Sequence, residues 1–311
     1  MTNYTVDTLE LGPFTTEFGE TIANLKLRYE HVGLQGQPLV IVCHALTGNH
    51  LTYGTNENPG WWREIIDGGY MPIHDYQFLT FNVIGSPYGS SSALNDVDFP
   101  QHLTLRDIVK AIEIGIETLG YQKINILIGG SLGGMQAMEL LYNRKFEVEK
   151  AVILAATDRT SSYSRAFNEI ARQAILLDNK EGLSIARQLG FLTYRSSKSY
   201  DKRFSPDQVV AYQKHQGDKF KQHFASECYL TLLDVLDSHD LDRGRDDVDS
   251  VLSTLDTKVM TMGFTDDLLY PDDLVRAAGE RFKYHKHFFV PDNVGHDGFL
   301  LNFNDWAPNL Y

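Results

Sequence analysis

The stretch Gly129-Gly130-Ser131-Leu132-Gly133-Gly134 constrains this chain more than any other. It follows an apolar run, Ile124-Asn125-Ile126-Leu127-Ile128, and precedes a segment of helical character at 135–142. A strand that passes through a glycine-flanked serine straight into a helix is a nucleophile elbow. The turn is tight enough to strain the serine backbone, so its neighbours must be small. Gly129, Gly133 and Gly134 leave room for the turn and for the helix to lie against its strand. The hydroxyl is thereby held above the sheet, and the amide of Leu132 faces the place where an oxyanion would form. A glycine-rich turn with an idle serine is the bland alternative, and the flanking strand and helix disfavour it.

A serine alcohol needs a base to attack at neutral pH. In this context the acid and the histidine follow the serine, in that order. Gly263-Phe264-Thr265-Asp266-Asp267-Leu268-Leu269-Tyr270-Pro271 comes after the strand-like Lys258-Val259-Met260-Thr261-Met262. Asn293-Val294-Gly295-His296-Asp297-Gly298-Phe299 comes after the strand-like His285-Lys286-His287-Phe288-Phe289-Val290. Each places a polar group just past the carboxyl end of a strand, the edge where open α/β sheets bind ligands. The 29 residues from Asp267 to His296 leave room for one helix and one strand.

At 311 residues the chain can build one large core, or a core with a subdomain. A net charge of −13 disfavours a non-specific nucleic-acid role, which needs a cationic footprint. The two cysteines, Cys43 and Cys228, do not form a metal-binding pattern, and Cys43 ends an apolar run as a buried thiol does. The N-terminal segment has no basic stretch followed by an apolar one, so no secretory leader is expected. No apolar run approaches the ~20 residues of a membrane helix. No membrane and no nucleic acid partner is therefore expected.

Strand and helix patterns alternate along much of the chain. Leu25-Lys26-Leu27-Arg28-Tyr29-Glu30-His31-Val32 alternates like a half-exposed strand, and Leu39-Val40-Ile41-Val42-Cys43 is continuous like a buried parallel one. Phe78-Leu79-Thr80-Phe81-Asn82-Val83-Ile84 and Ala151-Val152-Ile153-Leu154-Ala155-Ala156 are further strand candidates. Leu105, Ile108, Val109, Ile112, Ile116 and Leu119 recur at helical spacing, with Thr104 as N-cap and Gly120 as C-cap. From about 158 to 250 the pattern becomes polar and helical, which reads as an insertion into a parallel sheet. The expected organisation is a core of 1–157 and 251–311 with a helical lid, 158–250, over the carboxyl edge.

Other segments are candidates for chemistry. His44-Ala45-Leu46-Thr47-Gly48 lies past the strand ending at Cys43, where α/β-hydrolases take their second oxyanion donor. The expected donors are the amides of Leu46 and Leu132, each worth about 3–4 kcal/mol of barrier. His44 reads as a structural residue of this loop, because His296 already fits the chain order. Gly85-Ser86-Pro87-Tyr88-Gly89-Ser90-Ser91-Ser92 is either a polar surface turn or a pocket wall, and not a phosphate loop. His285 and His287 have no acidic or cysteine partner at a familiar metal spacing, so no metal is expected. The acidic run Asp240-Leu241-Asp242-Arg243-Gly244-Arg245-Asp246-Asp247 lacks the chelating pattern of a calcium loop and reads as solvated. Arg172 under a lid could grip a carboxylate through parallel N–H bonds, and Asp297 could hold an ammonium group.

Together, His44-Ala45-Leu46-Thr47-Gly48, Gly60-Trp61-Trp62, Leu103-Thr104-Leu105-Arg106-Asp107, the elbow continued by Met135-Gln136, Arg172-Gln173-Ala174-Ile175 and Gly295-His296-Asp297 resemble the homoserine O-acetyltransferases. Leu132 and Gly298 depart from that family's common methionine and alanine. The resemblance implies an α/β-hydrolase fold with a lid, a Ser131, Asp267, His296 triad, Arg172 and Asp297 on the substrate, and no bound cofactor. It further implies acetyl-CoA as co-substrate, a cytoplasmic place in methionine biosynthesis, and a homodimer formed through the lid. The expected reaction is acetyl transfer to L-homoserine by way of an acetyl-serine. The triad by itself also suits an esterase with water as acceptor, and motif spacing leaves succinyl as donor group and serine as acceptor open.

Overall fold

The computed structural model describes residues 3–291 and 294–310. Met1 and Thr2 of the N-terminal segment, and Asn293 of the motif around His296, lie outside the described residues. The strands are β1 (Tyr4–Glu10), β2 (Phe14–Thr15), β3 (Thr21–Ile22), β4 (Lys26–Val32), β5 (Leu39–Cys43), β6 (Gln77–Phe81), β7 (Lys123–Gly130), β8 (Glu147–Leu154), β9 (Lys258–Phe264) and β10 (Tyr284–Val290). The helices are α1 (Arg63–Asp67), α2 (Leu105–Thr118), α3 (Leu132–Asn143), α4 (Ser162–Leu177), α5 (Asn179–Tyr194), α6 (Ser197–Arg203), α7 (Pro206–Phe220), α8 (Ser226–Ser238), α9 (Val248–Leu252), α10 (Asp272–Glu280) and α11 (Phe303–Trp306).

Among the described residues, eight strands form the main sheet in the order β1-β4-β6-β5-β7-β8-β9-β10. β4 pairs antiparallel with β1 and β6, and every pairing from β6 to β10 is parallel. The parallel strands therefore end at one edge, and the loops after β5, β7, β9 and β10 meet there. This is the α/β-hydrolase architecture. β5 is buried at every position, because a parallel strand between two layers meets side chains on both faces. One face packs against α2 and α3, with Ile41, Leu127 and Ile153 meeting Ile108, Ile112 and Met138. The other packs Val42, Ile128 and Met260 with Trp62, Ile65 and Trp306.

Local signals set several boundaries. Thr104 and Asp107 close a capping box at the start of α2, each side chain bonding the other's backbone. The C-cap is Leu119, and Gly120 follows it at φ 84°, one place beyond the expected cap. β6 stops at Phe81 instead of running to Ile84, because after one more bond to β4 the loop following β5 captures the next amide. Asn82 N–H donates to Arg28 O, and Val83 N–H donates to His44 Nε2. The serine-rich loop at 85–92 is not a surface turn, and it lines no cavity over Ser131. Ser86, Ser90, Ser91 and Ser92 are buried. The Ser90 and Ser91 hydroxyls accept from the amides of Arg28 and Lys26, continuing the bonding of β4 where β6 has ended.

Helices α4 to α8 lie between β8 and β9 and pack on one another, α4 on α5 and α5 on α7. The acidic loop after α8 is tied down. Arg281 bridges Asp158, Asp242 and Asp249, and Arg159 also reaches Asp242. No helix among the described residues is long and apolar enough to cross a membrane.

Candidate active site

Ser131 stands between β7 and α3 at φ 56°, ψ −125°, a conformation that costs a non-glycine residue about 1–3 kcal/mol and persists only where its surroundings enforce it. They do. Ser131 N–H donates to Leu154 O at 2.9 Å, and a Cβ on Gly133 would strike the carbonyl of Cys43. The strain lifts Oγ off the sheet toward His296.

Ser131 Oγ–H donates to His296 Nε2 at 2.9 Å, and His296 Nδ1–H donates to Asp267 Oδ2 at 2.8 Å. All three side chains are buried. Asp267 Oδ1 accepts from the amides of Leu269 and Tyr270 at 2.9 and 3.0 Å, which fixes the carboxylate's orientation. Asp266, at φ 58°, makes the turn and points outward to Lys198 at 3.1 Å. Burial alone would push the His296 imidazole down. The charge and hydrogen bond of Asp267, with the charge of Asp297, outweigh it and hold the ring above the usual histidine range. The imidazole is thus a stronger base than an ordinary buried histidine. Trp62 Nε1–H donates to Phe299 O at 3.0 Å, anchoring the turn that carries it.

The loop after β5 is held from three sides. Val83 N–H donates to His44 Nε2, His44 Nδ1–H donates to Ala45 O, and Gln136 Nε2–H donates to His44 O. Burial pushes the His44 imidazole down to about 4, so it is neutral and structural. Among the described residues the amides of Leu46 and Leu132 have no acceptor. They are free to meet a ligand oxygen. His285 and His287 instead share Thr261 Oγ1, and His287 also bonds Asp272.

A cavity of about 410 Å³ opens over Ser131 and His296 beneath the α4–α8 helices. Arg172 does not line it, contrary to the expectation that it grips substrate there. Its guanidinium is turned to the seam between α4 and α8, where Glu169, Asp234 and Asp237 each take it at 2.8 Å. Ser164 and the neighbouring Ala171 and Ile175 are the buried positions of that helix. The arginines that do line the cavity are Arg187, Arg195 and Arg203. Arg187 stacks over Phe191 and Phe220 at 4.5 and 4.9 Å and reaches Thr47 Oγ1 at 3.4 Å. Among the described residues it has no carboxylate partner. Asp297 lines the cavity, and Arg195 Nε–H donates to its Oδ2 at 2.7 Å. Sequence reasoning missed Arg187. The signal was present, since Leu183, Ala186, Gly190 and Phe191 mark the buried side of α5 and position 187 falls among them. A cation on such a side needs a reason.

The α/β-hydrolase fold family matches residues 38–303. Homoserine O-acetyltransferase of Carboxydothermus hydrogenoformans is 32% identical over 95% of this chain and 91% of its own. That of Thermus thermophilus is 34% identical over 93% and 85%. A crystal structure of homoserine O-acetyltransferase from Staphylococcus aureus is 80% identical, covers 99% of this chain and 94% of its own, and superposes with a TM-score of 0.97. The chain belongs to the homoserine O-acetyltransferase family of α/β-hydrolase-fold proteins.

Proposed function

We propose that this chain moves an acetyl group from acetyl-CoA to the hydroxyl of L-homoserine through an acetyl-serine. The observation that carries the reading is the relay of Ser131, His296 and Asp267 at the base of a cavity that also holds an arginine, Arg187, with no carboxylate partner among the described residues. His296 takes the Ser131 proton as Oγ attacks the thioester carbonyl. The amides of Leu46 and Leu132 face the tetrahedral oxyanion. The C–S bond breaks, and the CoA sulfur leaves with the proton from His296. Homoserine then enters with its carboxylate on Arg187 and its ammonium on Asp297, which it shares with Arg195. His296 takes the proton of the homoserine hydroxyl as that oxygen attacks the acetyl carbonyl; the acetyl carbon–Oγ bond breaks, His296 returns the proton to Ser131 Oγ, and O-acetylhomoserine leaves.

Family membership supports the acceptor. The aromatic lining of the cavity, with Tyr194, Tyr229 and Tyr270 around the base, supports the exclusion of water from the acyl-enzyme. The reading includes a cytoplasmic enzyme acting on small molecules. It also includes a homodimer through the lid, which the exposed Ile170, Leu176 and Leu177 of α4 favour. The protein is incubated with acetyl-CoA, with and without homoserine, and with succinyl-CoA and serine as competing donor and acceptor. O-acetylhomoserine is the expected product. Acetate formed at the same rate whether or not homoserine is present would make water the acceptor and overturn the reading.

A further inference from the structure

We propose that Arg195, at the joint between α5 and α6, is a positioning residue for the triad: it holds the Asp297 carboxylate and, with it, the turn that carries His296. The inference rests on reading His296 as the base. Four contacts converge on this joint. Arg195 Nε–H meets Asp297 Oδ2 at 2.7 Å, with both side chains only about 15% exposed (16% and 14%). Ser196 N–H donates to Val294 O at 2.7 Å. Lys198 pairs with Asp266, next to the catalytic acid. Gly295, at φ 89°, lies so close that a Cβ would strike the Ser196 amide at 2.8 Å. The lid therefore touches the turns of both the base and the acid through one short segment. Tyr194, the last residue of α5, adds a ring contact to His296 at 5.8 Å.

The pair also has an electrostatic consequence. His296 is faced by Asp267 from the turn after β9, Asp297 from its own turn, Tyr270 from the acid turn and Tyr194 from α5. Arg187 and Tyr229 stand behind Tyr194. The Asp297 charge favours the protonated imidazole, and Arg195 is the cation that offsets it. Removing Arg195 leaves that carboxylate unneutralised, so His296 keeps its proton to higher pH. A merely structural role in the lid does not produce this shift.

The test is the rate at which a fluorophosphonate labels Ser131, followed against pH in the full-length protein. This readout needs neither CoA nor homoserine, so it is independent of the acceptor. In Arg195→Gln the acid limb of the profile moves up by about half a pH unit. Arg195→Lys, which keeps the charge, leaves the limb where it is in the wild type. Asp297→Asn moves it down, and this variant serves if Arg195→Gln does not fold. A wild-type chain that labels while Arg195→Gln, or in its stead Asp297→Asn, keeps the wild-type limb defeats this inference alone. A wild-type chain that does not label defeats the reading of Ser131 and this inference with it.

Discussion

The floor of the site and its roof are held in different ways. The floor consists of turns at the strand ends, tied by backbone bonds. Ser131 N–H reaches Leu154 O, Ala155 N–H reaches Met262 O, and Thr265 N–H reaches Val290 O. The roof is fastened mostly by side chains, with Ser164 Oγ–H on Leu269 O, Arg187 on Thr47 and Arg195 on Asp297. Backbone ties follow from chain direction and small residues, and tolerate change in the side chains around them. Side-chain ties depend on how a helix is rotated when it docks. The relay of Ser131, His296 and Asp267 is built on the floor, and the roof brings Arg187 over it and ties to it at Asp297 through Arg195.

The largest expected effect breaks the floor. Ser131→Ala lowers kcat by about 10⁴-fold or more, as loss of a triad nucleophile does, and changes the melting temperature little, because alanine keeps the strained backbone and loses only the hydroxyl's bond to His296. Stopped assays with acetyl-CoA and homoserine measure it. A variant that turns over within tenfold of wild type removes Ser131 from the mechanism. The next effect belongs to the roof. Arg187→Ala raises the homoserine KM by about 10- to 100-fold, the worth of a charge-assisted hydrogen-bonded pair. Fluorophosphonate labelling of Ser131 stays within a few-fold of wild type. If labelling falls as far as transfer does, Arg187 supports the loop at Thr47 and the division between floor and roof fails.

The same division decides what the sequence made legible. The elbow, β5 and the cap at Thr104 each depend on residues adjacent in the chain, so a local pattern sufficed. Asp267 and His296 were readable because each follows a strand pattern and chain order supplies the rest. The direction of Arg172 was not legible because a helix has several inward directions, and only docking against α8 shows that Asp234 and Asp237 take its guanidinium. Arg187 was missed because its neighbours in the cavity come from α7 and from the loop after β5, far away in the chain. β1 was missed for a related reason. Its residues are mostly exposed, and its register comes from pairing with β4 at the sheet edge.

The smallest effect is the sharpest test of the comparison, because two arginines of the lid are set against each other. Arg172→Ala removes contacts to two half-exposed carboxylates, Glu169 and Asp234, and to the partly buried Asp237. Exposed pairs contribute about 0–1 kcal/mol each. Asp237 is not orphaned by the change, since Asn168 Nδ2–H still donates to it at 2.8 Å. The expected cost is therefore about 1 kcal/mol, or ~2 °C in melting temperature by calorimetry. The homoserine KM stays within twofold of wild type, since no part of Arg172 lines the cavity. The loss in stability shrinks in high salt, where screening already weakens the exposed pairs. A tenfold rise in the homoserine KM for Arg172→Ala, with Arg187→Ala silent, would exchange the two residues. It would mean that α4 turns toward the cavity when substrate is bound, and that the seam with α8 is the resting place of a mobile arginine.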